Sequence, residues 1–193
     1  MPESVGRPRE TMSFATELRG KTYTFETTWG LFSPKGIDAG SRLLIEHIEI
    51  GEAERVLDVG CGYGAIGLPL ARMMPQGRVD MVDRDFVAVE FASRNARLNG
   101  IDNVTSYLSN GLSHVPGEQR FDLIVSNLPA KVGNEMLSLI LHDAHARLVP
   151  GGRLVVVTIN ALREHMKRRM RELFGHYEKV KQGKTYTVSL TAR

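Results

Sequence analysis

The stretch from Val56 to Gly67, Val-Leu-Asp-Val-Gly-Cys-Gly-Tyr-Gly-Ala-Ile-Gly, constrains this chain more than any other. A short apolar run carrying one acid, Asp58, gives way to glycines at 60, 62 and 64, and a helix-compatible apolar stretch follows. That order predicts a buried parallel strand turning sharply into a helix. Its backbone is bare enough for a ligand to lie against it.

The rest of the chain supplies the partners such a strand needs. Arg78–Asp83, Val104–Leu108, Phe121–Ser126 and Arg153–Ile159 are strand-like runs, the last the most β-branched. Between them lie predicted helices over Ala65–Met74, Asp85 to Asn99-Gly100 and Asn134–Leu148. Pro69 falls early enough in its helix to be tolerated. In the second of these helices Phe86, Val89, Ala92 and Ala96 share the face expected to be buried. Ala161–Phe174 is a basic amphipathic helix, and Tyr177–Lys181 with Thr185–Thr191 around Gln182-Gly183 predicts an antiparallel hairpin. Upstream, Lys21–Thr27 alternates aromatics with threonines, and a helix capped by Asp38 or Ser41 runs to Ile48 with Leu43, Leu44, His47 and Ile48 on one face. Residues 1–18 show no periodicity and are expected to be a flexible tail, with 19–193 forming one domain. The fold class expected is α/β: a doubly wound, Rossmann-like, seven-stranded, mostly parallel sheet with a terminal antiparallel hairpin.

Two ligands compete for the glycine loop. Gly62-x-Gly64-x-x-Gly67 spells a dinucleotide fingerprint, with Asp83 about twenty residues on. Asp58 separates the two, because a pyrophosphate would be repelled by it and no nearby Lys or Arg offsets the charge. A ligand bearing an ammonium and a sulfonium would be attracted, directly or through water; S-adenosylmethionine is such a ligand. Asp83, ending the next strand, suits ribose hydroxyls because an ionised carboxylate accepts from both. Ligands of such sheets bind outside the carboxyl ends of the strands, where Asp58, Asp83, Asn110 and Asn127 all fall.

Asp58-Val-Gly60-Cys-Gly62-Tyr-Gly64 resembles the first motif of the class I S-adenosylmethionine-dependent methyltransferases, over roughly residues 20 to 192. The Tyr23-x-Phe25-x-Thr27 strand, Gly30-Leu-Phe-Ser33 and Ile37-Asp-x-Gly-Ser-Arg-Leu-Leu44 are similar to the small-domain group, which includes ribosomal RNA guanine-N2 methyltransferases. The resemblance implies that S-adenosyl-L-methionine is held by Asp58, Gly60, Cys61, Gly62, Tyr63, Gly64, Asp83, Arg84, Asn110, Gly111 and Asn127. It further implies that Phe32, Lys35, Gly36 and Asp38 lie over the methionine end, and that Asn110 meets the adenine amino group.

Ser126-Asn127-Leu128-Pro129-Ala130 ends the fourth strand of the sheet. In methyltransferases of exocyclic nitrogen the corresponding pattern is Asn-Pro-Pro-(Tyr/Phe). An exocyclic amino group is a poor nucleophile because its lone pair is delocalised. The Asn127 side-chain oxygen and the Leu128 carbonyl can accept its two N–H bonds and aim the lone pair at the methyl, without an obligatory strong base. Pro129 stiffens the turn. Leu128 replaces the first proline without loss of an acceptor. Ala130 lacks the ring that stacks on a base, leaving Tyr63, Trp29 or Phe32 as alternative surfaces. Asn127, Leu128 and Pro129 are thus the expected catalytic group.

The net charge is only +3, yet Arg163 to Lys184 holds eight Lys/Arg against three Glu, a basic face suited to a polyanion. The expected partner is RNA, ribosomal by the resemblance, with the base flipped out or presented from a loop. Methylation of a protein glutamine or small molecule, and a non-catalytic cofactor-binding RNA or assembly module, are the alternatives. No apolar run reaches the roughly 20 residues of a membrane span, no secretory h-region is readable, and one cysteine forms no internal disulfide. A cytoplasmic location is therefore expected, with a monomer favoured over a dimer. His142 and His145 beside Asp143 lack a third ligand and are expected to be helix-surface residues, so no metal site is assigned. Cys61 is given no nucleophilic role.

Overall fold

The computed structural model describes residues 10–129 and 133–193. Five parallel strands form the heart of the molecule: β3 (Arg55–Val59), β4 (Arg78–Asp83), β5 (Val104–Leu108), β6 (Phe121–Asn127) and β7 (Leu148–Ile159). The antiparallel hairpin of β8 (Glu178–Gln182) and β9 (Tyr186–Ala192) completes the sheet, in the order β5-β4-β3-β6-β7-β9-β8. The expected seven-stranded doubly wound α/β fold is the one observed. Successive strands are added outward in one direction from β3 (to β4 and β5) and in the other from β6 (to β7), so the crevice of the fold opens at the carboxyl ends of the parallel pair β3 and β6.

Alternate residues of the central strands feed two cores. Val56, Leu123 and Val125 face one cluster, covered by α1 (Ala39–His47), α2 (Gly67–Met73) and α3 (Phe86–Leu98). Leu57, Val59 and Ile124 face the other, covered by α4 (Asn134–Arg147) and α5 (Arg163–Phe174).

Four expectations need correction. Residues 11–18, expected in the tail, form strand β1 (Thr11–Leu18), which pairs in full register with β2 (Lys21–Thr28); residues 1–9 lie outside the described residues. The turn is Arg19-Gly20, both at positive φ (48° and 71°), as a two-residue hairpin of right-handed twist requires. Arg19 tolerates this because its guanidinium is tied down elsewhere: it donates to the Ile45, Glu46 and Ile48 carbonyls at 2.9, 3.1 and 2.7 Å, satisfying the open C-terminal end of α1. Secondly, α3 buries Ala88, Phe91, Ala92, Asn95 and Ala96, while Phe86 is 68% exposed. The true stripe contains a polar residue, Asn95, which broke the apolar periodicity. Thirdly, β7 begins at Leu148, not Arg153; the Pro150-Gly151-Gly152 segment stays in the strand as an irregularity in the β6 pairing, with Gly151 at φ 79°. Lastly, α1 buries Ser41, Leu44 and Ile45, and leaves Leu43 and His47 only half-buried.

Asn95 and Asn99 explain how the N-terminal hairpin is held. Asn95 accepts from the Glu26 N–H at 2.7 Å and donates to the Glu26 carbonyl at 2.9 Å. Asn99 does the same with Thr24, at 3.0 and 2.8 Å. Two side-chain amides one helical turn apart thus stand in for a neighbouring strand. Asn95 also donates to the Tyr63 carbonyl at 2.9 Å, joining hairpin, helix and glycine loop. Phe14 and Phe25 pack edge-on against Tyr63 at 6.0 and 5.5 Å, and tilted against each other at 5.6 Å.

Candidate active site

The loop after β3 is formed as its glycines require. Gly60, Gly62 and Gly64 have φ of 75°, 55° and 91°. A Cβ at Gly60 or Gly62 would meet nothing within 4 Å, so these two form an open floor. Gly67 differs: its Cβ would lie 2.7 Å from Met81 and 3.0 Å from Asp58, so it is glycine for close packing of helix on sheet. Gly60 and Cys61 both donate to the Val82 carbonyl, at 2.8 and 3.0 Å, which hangs the loop from the end of β4.

Two carboxylates organise this floor. Asp83 accepts from the Gly62 N–H at 2.9 Å with one oxygen and from the Asp85 N–H at 3.0 Å with the other. It remains half-buried, with lone pairs left for a ligand. Asp58 is fully buried; its Oδ2 accepts from the Gly67 N–H at 2.8 Å, and its Oδ1 is a buried oxygen without a hydrogen-bond partner among the described residues. Burial pushes its pKa up to about 7, opposed by the Gly67 hydrogen bond and reinforced by Asp83. Of the two routes by which Asp58 was expected to attract a cationic ligand, direct contact is closed to it. Its field, or one bridging water, is left.

Two of the expected neighbours have buried side chains. The Cys61 side chain is buried, and its thiol pKa lies well above the ordinary value, chiefly through burial and then through Asp58 and Asp83. Tyr63 is buried too; its hydroxyl donates toward the Ser33 and Gly36 carbonyls at 3.3 and 3.2 Å, and burial raises its pKa. It therefore cannot stack on a base, and its role is to fasten the 29–38 loop to the glycine loop. On that loop Trp29 and Phe32 are 57% and 65% exposed, with the Lys35 ammonium 5.1 Å from the Trp29 ring centre. Gly36 and Asp38 sit half-buried where the loop enters α1. Arg84 and Asn110 are exposed at the ends of β4 and β5, and Gly111, at φ 56°, turns the chain after Asn110.

Asn127 ends β6, across the crevice from the glycine loop. Ser126 donates to the Val59 carbonyl at 2.7 Å and clamps β6 to β3. The Asn127 Nδ2 group donates to Asp38 Oδ1 at 3.1 Å and to Ser41 Oγ at 3.0 Å. Asp38 meanwhile caps α1, accepting from the Gly40 and Ser41 N–H groups at 2.9 and 3.1 Å. Leu128 is buried in the second core and uses its N–H on the Val157 carbonyl at 3.0 Å, a bond that a proline at 128 could not make. Pro129 is exposed beside it; Ala130 lies outside the described residues. The Asn127–Asp38 contact spans 89 residues and no local signal announced it. Ser41, foreseen only as a possible helix cap, belongs to the same cluster.

The basic region divides by position. β7 ends, and β9 begins, at the edge that carries Asn127, since Ile159 pairs with Tyr186. Arg163, Lys181 and Lys184 fall at that edge, where Arg163 donates to Gln182 at 3.0 Å. α5 then runs away from it, so that Arg171 lies farther from that edge than Arg163; Arg168 and Arg169, at mid-helix, pair with Glu172, and Arg169 also donates to Ser138 near the start of α4 at 2.9 Å. On α4, His145 stacks edge-on against Phe174 at 4.9 Å and His142 is exposed.

The family model described as Methyltransferase small domain matches residues 22–189. The chain is 37% identical over 187 residues to the uncharacterized protein YbxB of Bacillus subtilis, covering 96% of this chain and 92% of that one. It is 34% identical over 179 residues to the ribosomal RNA small subunit methyltransferase C of Citrobacter koseri, covering 91% of this chain and 51% of that enzyme. A T. thermophilus 16S rRNA N2 methyltransferase, solved with AdoMet and guanosine, superposes with a TM-score of 0.89 at 30% identity, over 100% of this chain and 53% of that one. The chain thus spans about half the length of the ribosomal RNA methyltransferases it matches.

Proposed function

This chain belongs to the methyltransferase small-domain family, and from that premise we propose that it transfers a methyl group from S-adenosyl-L-methionine to an exocyclic amino nitrogen, guanine N2 of ribosomal RNA. The carrying observation is Asn127: it stands at the crevice with both donors of its amide engaged by Asp38 and Ser41, which leaves Oδ1 as the acceptor. The glycine floor fits the cofactor, because Gly60 and Gly62 offer bare backbone, Asp83 retains acceptor capacity and Asp58 places an acid beneath. The bound cofactor supplies an electrophilic methyl on a sulfonium, which departs as a neutral thioether.

Every remaining requirement falls on the protein. Asn127 Oδ1 and the Leu128 carbonyl accept the two amino N–H bonds and turn the lone pair toward the methyl. As the nitrogen becomes cationic, the same acceptors stabilise the positive charge on its hydrogens. The proton is released afterwards to water. The buried thiol of Cys61 and the buried phenol of Tyr63 take no part. Trp29 and Phe32 provide exposed ring surface near the mouth in place of the aromatic missing from the Asn-Leu-Pro-Ala motif, and stacking on one of them is worth about 1–3 kcal/mol per base. Arg163, Lys181 and Lys184 lie on the edge where RNA phosphates would run.

Labelled S-adenosylmethionine offered to total RNA and protein from cells lacking the gene tests this reading. Label recovered as N2-methylguanosine in one RNA supports it, and label in protein overturns the substrate. Asn127→Ala should lower turnover by about 100-fold or more while cofactor affinity changes little.

A further inference from the structure

We propose that Asp38 and Ser41 are positioning residues for methyl transfer, fixing the Asn127 amide with its oxygen toward the reacting amino group. The proposal rests on the reading of Asn127 given above and extends it to the groups behind it.

An asparagine amide has nearly the same shape whichever way its oxygen points, so only its partners decide the orientation. Asp38 Oδ1 lies 3.1 Å from the Asn127 amide and is held there by the Gly40 and Ser41 N–H groups, at 2.9 and 3.1 Å. An ionised carboxylate only accepts. The group facing it must therefore be the NH2 of Asn127; the reversed amide would set oxygen against oxygen. Ser41 Oγ, in a side chain 3% exposed, takes the second N–H at 3.0 Å. Both donors are thereby spent inside the protein, and Oδ1 is the only polar atom of this amide left for a substrate. A site made this way selects a partner that donates hydrogen, as an amino group does, and disfavours a ring carbonyl in the same place. Asp38 can do this reliably because it is itself immobilised as the N-cap of α1, at φ −66° and ψ 156°. One helix start thus sets the orientation of a side chain on a strand of the central sheet.

The test separates capping from positioning. Asp38→Ser keeps a capping oxygen on α1, but one bond shorter, so it cannot reach Asn127. Asp38→Asn keeps an acceptor of full length, held by the same two N–H groups. Each is combined with Ser41→Ala, and methyl transfer to guanine-containing RNA is followed in a single turnover at saturating S-adenosylmethionine. The Asp38→Ser pair should be slower than wild type by about 100-fold, with KM for RNA little moved. The Asp38→Asn pair should be at least about tenfold faster than the Asp38→Ser pair. In parallel, the side-chain 15N–1H2 signal of Asn127, assigned by its loss in Asn127→Asp, should exchange slowly with solvent in wild type and rapidly in the Asp38→Ser pair. A wild-type rate in the Asp38→Ser pair, an Asp38→Asn pair equally slow, or a freely exchanging Asn127 amide in wild type would overturn the proposal. Wild-type protein that methylates no RNA overturns the RNA reading instead, and the amide signal then still decides the positioning.

Discussion

Asp58 is a carboxyl group buried beneath the glycine loop, where it is expensive to ionise. Its pKa of about 7 in the folded protein, against about 4 in an unfolded chain, means that the fold favours the protonated form. The folded protein then holds more protons than the unfolded one between about pH 4 and pH 7. Stability from this group accordingly falls as pH rises through that window, by up to about 4 kcal/mol, and levels off above it. A cationic cofactor favours the ionised form, so binding should expel a proton near pH 7. Calorimetric titration with S-adenosylmethionine in two buffers of different ionisation enthalpy should show that release, and Asp58→Asn should abolish it. Identical heats in both buffers would remove Asp58 from cofactor recognition. At this scale the sequence revealed a good deal: an acid followed by alternating glycines was enough to expect both the turn and the charge of its ligand. That the acid would be sealed beneath the loop, with its Oδ2 on Gly67, depended on how closely α2 packs on β4, which Gly67 and Met81 decide.

At the scale of elements, the feature with the largest consequence is the docking of the β1–β2 hairpin. It pairs with no strand of the main sheet and is held by Asn95 of α3 and Asn99 at its C-cap, by Arg19 on the end of α1, and by the Phe14–Phe25–Tyr63 contacts. The 29–38 loop continues directly from this hairpin into α1. Asn95→Ala leaves the Glu26 N–H and two carbonyls without their partner and should cost about 2–4 kcal/mol in urea-induced unfolding. It should also weaken cofactor binding, because the Tyr63 carbonyl of the glycine loop is one of the groups released; unchanged affinity would uncouple hairpin from site. Two amides at i and i+4 on a helix look like surface residues in a sequence. Nothing local marks them as substitutes for a β partner of β2; β1 itself was expected to be part of a tail because residues 1–18 show no periodicity.

Over the whole molecule, the sheet order brings to one edge groups far apart in the chain: Asp38, the glycine loop, Asp83, Asn110, Asn127 and the β8–β9 turn. The same order splits the basic segment, so that its residues should not contribute equally. Lys181→Gln with Lys184→Gln should weaken RNA binding and reduce the slope of log affinity against log salt by about 1–2. Arg168→Gln with Arg171→Gln, in the second half of α5, should change it less. Filter binding across a salt series reads both, and equal effects would mean that RNA wraps the α5 face instead. Among the described residues, no helix is long and apolar enough to cross a membrane.

The sequence by itself determined the strands, most of the helices, the glycine turn and the acids at the carboxyl ends of β3 and β4. Each of these follows from interactions within a dozen neighbouring residues: apolar alternation, caps, and glycines at positive φ. Only the tertiary structure decided which way the Asn127 amide points, which face of α3 is buried, that Tyr63 is a fastener and not a stacking surface, and which basic residues share the edge that carries Asn127. Those outcomes are set by partners that approach through space, such as Asp38 to Asn127 and Asn95 to the Glu26 backbone, and a hydrogen bond between residues 89 or 69 apart in the chain leaves no pattern along it.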